Sequence, residues 1–548
     1  MASTSEQSKR VLKLIRRSDL VYPDYELLEC FLNDSKDPEQ TARYILRRCS
    51  VAEDAHDLDP GALLADWKTL IAFFMTDGPA HQLSDKVAIA AIFKRDGGKC
   101  RITELANSFW DPLIVAPLLP FGTFHLDKGL NEMLGIYIGS GLLDWFSSKA
   151  ASLNTYQSHW LVRRSAAAAL SQGCFKIDFW AHLPELEYQV ISSHIGSRTL
   201  PPIARDADII REDRFPDPSA SNVDNPDKSA LQLVSMFSAP IRWTLLSREI
   251  ARKELQIQPI RNWQTASLWR FLVDRGAAVM STALRLLPAF VRIRAYRGLA
   301  FLGRHMYGPS SFGVQRLPFG MYFKQKRVDR QGSLENEYAA LQLVSRHTRV
   351  PVPMALDVVS DSKYSYLLTS RVPGTGLGSC LDALSHSEEE ALVRDLQEAL
   401  SQLRAIPKRI APEYAISNVL GKACFDGRIE MHAHFGARKN RLVGPFVDEA
   451  EFHNRLREIR FPNILQREGH QIVFTHGDLH SANILMHNGR LSGIIDWETA
   501  GWFPEYWEYT KACYISRINR YFRILNKVME PFGTFEKELE IETKMWVF

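Results

Sequence analysis

Along the first two hundred residues, apolar side chains return every three or four positions. YELLECFL (25–32), ALLADWKTLIAFF (62–74) and WLVRRSAAAAL (160–170) all show this spacing, which predicts amphipathic helices. The pattern breaks at RFPDPSASNVDNPDKS, residues 214–229, whose Pro, Ser, Asp and Asn content is that of a linker. Two further helical stretches follow, near 230–256 and 266–302. Past Tyr307 the period shortens. GVQRL, MYFKQ, ALDVV, SDSK and YSYLLTS, separated by turn residues such as the PFG before Met321, predict short strands. Helical spacing returns after Gly374, interrupted by strands around 473–496. No repeat of fixed period is found.

These patterns divide the chain into a mainly helical N-terminal domain (1–213), a linker (214–229), a helical lead-in with a strand-rich lobe (230–372) and a helical lobe (373–548). At 548 residues the chain is too long for one core. Hydrophobic residues make up 45% and charged residues 24%, as in ordinary globular proteins. The net charge, 67 − 63 = +4, is too small by itself to imply nucleic acid or an anionic membrane as partner. The cysteines at 30, 49, 100, 174, 380, 424 and 513 form no CxxC pair, so neither a zinc site nor a disulfide framework is expected, and a reducing cytoplasmic setting fits best. The N-terminus lacks the apolar core of a secretory signal. The longest apolar tract, around Gly276 to Val291, is broken by Arg285 and Pro288 and falls short of a membrane span.

The chemistry concentrates in VFTHGDLHSANIL, residues 473–485. Here apolar runs that belong in a core enclose His476, Asp478, His480 and Asn483. Burying such groups is costly unless they are paired or bind an ion. Eighteen residues after Asp478, another apolar run, GIIDWE, delivers Asp496. Asp478 and Asn483 have the spacing of the kinase catalytic loop H-R-D-x-x-x-x-N, with Gly477 in place of Arg. Phosphoryl transfer explains that spacing. One carboxylate accepts the proton of an attacking hydroxyl, a nearby amide reaches the metal, and a second carboxylate holds magnesium against the nucleotide phosphates.

HGDLHSANIL followed by GIIDWETAGWFPEYWEY resembles the aminoglycoside phosphotransferase and choline kinase-like family, its fungal members especially. The resemblance covers residues 300–548, includes GPFVDEAEF, and leaves the N-terminal half uncovered. It implies an α+β, bilobal protein-kinase-like fold, ATP and Mg2+ as cofactors, and an enzyme that phosphorylates a hydroxylated small molecule. LPFGMYFKQ resembles the strand bearing the phosphate-binding lysine, here Lys324, although Lys326 and Arg327 stand nearby. LENEYAALQLV resembles the following helix, with Glu337 as the lysine's partner and Glu335 as its competitor. YLLTSRVPG, residues 366–374, resembles the hinge between lobes. The loop GPSSFG (308–313) offers backbone N–H groups and Ser310 or Ser311 to phosphates. The implied roles are Asp478 as catalytic base, Asn483 and Asp496 as metal ligands, and Lys324 with Glu337 in nucleotide binding. His476 is read as a loop prop, and His480 as structural or lining the acceptor site. Trp502 and Trp507 are read as apolar pocket wall or core, with Glu498, Glu505 or Glu508 available to polar groups.

The alternative is a kinase fold kept as a nucleotide-binding scaffold or regulator for the N-terminal domain. RDGGKCRITEL, DPLIVAPLLPF and LLDWF resemble the frame of HNH-type nucleases, but Ala116-Pro117 stands where that family has a histidine. Without its ligands a metal nuclease has no activated water, so nucleic acid is not expected as a partner. From Arg275 to Val328 there are ten Lys or Arg and no Asp or Glu. Arg285, Arg292, Arg294, Arg297 and Arg304 fall on an amphipathic helix there, which leaves a solvated face, a membrane surface or an anionic partner open.

Overall fold

The computed structural model describes residues 6–49, 59–75, 83–119, 126–179, 187–196, 201, 211–214, 223–255, 279, 282–283, 285–308, 310, 313–327, 331–425, 442–459, 467–513 and 520–544. They form two compact units, Met1–Gln256 and Ile257–Phe548. Among the described residues no helix is long and apolar enough to cross a membrane.

In the first unit, helices α1 (Glu6–Arg17), α2 (Asp24–Asn33), α3 (Pro38–Cys49) and α4 (Gly61–Phe74) precede α5 (Lys86–Arg95). Strand β1 (Leu113–Pro117), α6 (Lys128–Ile138), α7 (Ser140–Ser148), β2 (His159–Arg163) and α8 (Arg164–Ser171) follow. Helix α4 shows why the pattern was readable: Leu63, Leu64, Trp67, Leu70, Ile71 and Phe74 recur on one face and are all buried. Trp67 packs edge-on against Tyr137 of α6 with ring centroids 4.8 Å apart. WLVR is not helical. Its apolar run pairs antiparallel with β1, Trp160 opposite Ala116, and the helix begins only at Arg164. A second sheet joins β3 (Phe175–Asp178), β4 (Glu187–Ser192) and β5 (Arg211–Arg214). The fully buried Arg95–Asp96 pair holds the RDGGKC turn. Arg95 donates to the carbonyls of Tyr156, His159 and Asp224, while Asp96 accepts from the backbone N–H of Leu161.

The expected linker lies outside the described residues at 215–222. Beyond it, Asp227 caps α9 (Lys228–Met236) by accepting from the N–H of Ala230. Helices α9 and α10 (Ser238–Leu255), expected to lead into the strand-rich lobe, belong instead to the first unit. Ser235 Oγ donates to the Ile177 carbonyl of β3, Tyr137 donates to the Met236 carbonyl, and Phe237 stacks 3.7 Å from Phe74.

The second unit has the bilobal, kinase-like α+β form. Helix α11 (Ala289–Tyr307) covers a four-stranded antiparallel sheet of order β6 (Val314–Leu317), β7 (Met321–Arg327), β9 (Tyr364–Ser370), β8 (Ala355–Ser360). Ile293 and Tyr296 join Leu317, Met321, Phe323, Leu356, Tyr366 and Leu368 in its core. A Cβ on Gly303 would sit 2.1 Å from the Arg316 carbonyl, so only glycine lets the helix approach β6 this closely. SDSK is a turn between β8 and β9, where Asp361 accepts from the N–H groups of Lys363 and Tyr364. Helix α12 (Gln331–His347) lies between β7 and β8 in sequence.

The helical lobe is built on α13 (His386–Arg404) and two small sheets. One joins β10 (Thr375–Gly376), β13 (Ile484–His487) and β14 (Arg490–Ile494). The other joins β11 (Ser417–Asn418), β15 (Gly501–Pro504) and β12 (Ile472–Thr475). Helices α14 (Trp507–Cys513) and α15 (Arg520–Met529) close its core.

The unit boundary makes a direct prediction. A fragment spanning 257–548 should stay soluble and monomeric, whereas one spanning 228–548 should bind an apolar dye and aggregate. The longer fragment strands the buried Leu231, Leu233, Phe237 and Ile241 without their partners. Size-exclusion chromatography with dye binding checks this; the reverse behaviour would put the two helices in the second unit.

Candidate functional site

The site forms where β12 delivers His476–Asn483 and β14 delivers Asp496. Phe474 and Thr475 pair with Trp502 and Gly501, which fixes the entry to the loop. The loop then turns sharply at Gly477, where φ is +77° and a Cβ would lie 2.7 Å from the Thr499 carbonyl. No side chain fits there, which accounts for glycine at the place where the kinase loop has arginine.

Three groups hold this loop. Glu508 of α14, buried, accepts from the backbone N–H of His476 at 2.6 Å and of Gly477 at 3.1 Å. The buried His476 ring accepts the Asp478 N–H at Nδ1 (3.2 Å) and donates from Nε2 to the Ile495 carbonyl (2.9 Å). Burial lowers its pKa and keeps it neutral, so it ties the loop to the Ile495–Asp496 segment without carrying charge. Tyr521 donates to the Leu479 carbonyl at 2.6 Å. Asn483 reaches back with Nδ2 to the Asp478 carbonyl (2.9 Å) and carboxylate (3.2 Å). His480 Nε2 stands 3.5 Å from the Asp478 carboxylate, whose hydrogen bond raises the imidazole pKa.

Asp496 takes left-handed backbone (φ 68°) at the end of its strand, a conformation that Asp tolerates better than most residues. Its Oδ1 accepts from Lys324 Nζ at 2.7 Å, and the same ammonium donates to both oxygens of Glu337 at 2.8 and 2.9 Å. Glu337, and not Glu335, is therefore the lysine's helix partner. Burial alone would lower the Lys324 pKa, but the two carboxylates outweigh it and raise it; Lys324 in turn holds Asp496 low despite burial. Burial dominates at Glu337 and raises its carboxyl. Lys326 pairs with Glu498. Among the described residues, Glu337, Asp496 and Glu498 are the one group of three whose ligand atoms all lie within 4.8 Å of one another. Hard carboxylate oxygens of this kind suit magnesium.

Sequence reasoning missed Asn336. Buried on α12, it donates to the Glu498 and Ala500 carbonyls (3.0 and 2.8 Å) and accepts from the Val419 N–H (2.9 Å), pinning that helix to the turn after Asp496. Its adjacency to Glu337 was the available signal. Of the phosphate loop, Ser310 Oγ accepts from the Arg316 N–H, and Ser311 lies outside the described residues. Trp502, Trp507 and Glu508 are all buried. The two indoles are core and Glu508 is turned to the loop backbone, because β15 and α14 bury their side chains as they close the lobe.

This geometry joins a basic strand, an acidic helix and two carboxylate-bearing loops in the order the motifs predicted. Residues 317–525 match the model of the phosphotransferase enzyme family, APH. The match leaves residues 1–316 uncovered. Among solved structures, aminoglycoside phosphotransferase APH(3'')-Id from Streptomyces rimosus, in complex with ADP and streptomycin, is similar at 21% identity, covering 46% of this chain and 99% of that one, with a TM-score of 0.30. APH(2")-IIa, in a ternary complex with streptomycin and ATP, is 16% identical, covering 43% and 79%, with a TM-score of 0.32. A thermostable mutant of APH(4)-Ia in its apo form is 14% identical, covering 42% and 78%, with a TM-score of 0.31.

Within the matched residues, burial pushes the Glu508 carboxyl up from 4.5 to about 7. Between those values the folded chain keeps a proton that the unfolded chain releases, so stability falls as pH rises through that window. Replacing Glu508 with Gln removes the titration. From pH 5 to pH 7 the wild type should lose about 2 kcal/mol relative to Glu508→Gln, read from thermal melts. Turnover of the variant should fall about tenfold, because an amide cannot accept from both N–H groups with the same strength. A parallel pH dependence in the two proteins would remove Glu508 from this role.

Proposed function

We propose that this chain is an ATP- and Mg2+-dependent phosphotransferase that moves the γ-phosphoryl group of ATP to a hydroxyl of a small molecule. The observation that carries the reading is the Lys324 ammonium, held by Glu337 on one side and by Asp496 on the other. This arrangement orients a cation for phosphates beside a carboxylate for a metal. Asn483 and Asp496 would hold magnesium, and the bound ion would neutralise charge on the nucleotide phosphates. Asp478, aimed by Asn483 and by the Glu508-held backbone, takes the proton of the acceptor hydroxyl as its oxygen bonds to phosphorus and the bond to ADP breaks. Ser310 and its loop are assigned to the phosphates through backbone N–H groups.

A small acceptor is supported by the chain after Asp496. A short turn at Trp497–Thr499 runs into the buried strand β15, and α14 starts at Trp507. Protein kinases place a long activation segment in this interval. Here there is no room for one.

Two substitutions separate the proposed roles. Asp478→Asn should keep Mg-ATP affinity while ADP release with an accepted substrate slows about 10²–10⁴-fold, the usual contribution of a positioned base. Asp496→Ala should abolish the magnesium-dependent part of ATP binding, measured by calorimetry with and without the ion. Full turnover in the first variant, or undiminished magnesium dependence in the second, would refute the assignment concerned.

A further inference from the structure

The basic stretch Arg275–Val328 is only partly absorbed by the proposed transfer site. Lys324 and Lys326 face Asp496 and Glu498. Arg285 and Arg292 pair with Asp357 of β8, and Arg297 pairs with Asp361. The outer face of α11 is left over.

The inner face of α11 buries Ile293, Tyr296 and Gly303. The opposite face of a helix packed on a sheet is ordinarily polar. Here Phe290, Phe301, Leu302 and Met306 protrude, 60%, 69%, 47% and 56% exposed. Leu286, just before the helix, is 84% exposed. At 3.6 residues per turn, positions 290, 294, 297, 301 and 304 share one stripe. Arg294 therefore lies among these apolar residues, with its guanidinium 5.7 Å from the Phe290 ring centroid, and Arg304 follows in the last turn. The β6–β7 turn adds Phe319, 68% exposed, on a hairpin whose first strand touches Gly303.

An exposed apolar stripe of this kind needs a partner. Its composition, protruding aromatic and aliphatic side chains among arginines with no carboxylate anywhere from 275 to 328, is that of helices that lie in the plane of an anionic bilayer. We propose that the outer face of α11 docks on an anionic lipid surface. Phe290, Phe301, Leu302 and Met306 enter the headgroup–acyl boundary, and Arg294 and Arg304 meet the lipid phosphates. The helix lies parallel to the membrane and crosses nothing.

The test uses the full chain in co-sedimentation with phosphatidylcholine vesicles, with and without about 30% phosphatidylserine. Binding should require the anionic lipid and weaken as salt is added. Arg294→Ser and Arg304→Ser should each lower the partition about fivefold. Phe301→Ser with Leu302→Ser should lower it further, with phosphotransferase turnover in solution and melting temperature unchanged, since none of these side chains is buried or belongs to the proposed transfer site. Wild-type hydrogen exchange across 289–307 should slow on the vesicles, a readout that needs no variant. Equal binding to neutral vesicles, no binding to either, or binding untouched by the substitutions would overturn the proposal. Self-association abolished by the same substitutions, without lipid binding, would overturn it in favour of a second copy of this chain.

Discussion

An ammonium largely withdrawn from solvent needs a counter-charge, and much of the second unit is arranged around that constraint at Lys324. Its three hydrogen bonds reach the next helix, 13 residues on, and a turn 172 residues on. Removing either carboxylate would leave that charge under-compensated. Asn336 explains why the geometry holds. By bonding to the carbonyls on both sides of Thr499, it fixes α12 against the same turn that presents Asp496. The strand-rich lobe and the helical lobe therefore share one polar seam, with the proposed proton acceptor at its edge.

The loop His476–Asn483 obeys a second constraint. A loop whose backbone N–H groups point inward must find acceptors, since orphaned buried donors are rare. Glu508 supplies two of them at once, and His476 bridges to the neighbouring segment. The conformation of Asp478 is thus set from beneath. The glycine at 477 follows from the same packing, because the Thr499 carbonyl occupies the space of its side chain.

The contacts of Lys324 with Glu337 and Asp496, and of Asp478 with Asn483, fall between residues singled out by spacings that the proposed phosphoryl transfer would demand. The four-stranded sheet was legible because its strands alternate or run apolar between turn residues. Glu508 and the two tryptophans were not: exposed acid and buried acid look alike in sequence, and aromatic residues serve a pocket wall or a core equally well. WLVRRSAAAAL fuses a strand and a helix without a breaker, so the alanine run imposed its helical period on both. The destination of α9 and α10 was hidden for another reason. Linker composition marks a break in the chain but does not say which side the next helix joins. Their buried faces, Leu231 to Ile241, decided it through contacts far back in sequence.

In the proposed reaction phosphate leaves ATP for a small hydroxylated molecule. The most direct measurement incubates the full chain with γ-labelled ATP, a pool of hydroxylated metabolites and mixed protein substrates, then separates the label by size and chemistry. Label is expected in a small phosphomonoester, with only background in protein and inorganic phosphate. Label confined to protein, or released solely as inorganic phosphate, would contradict it.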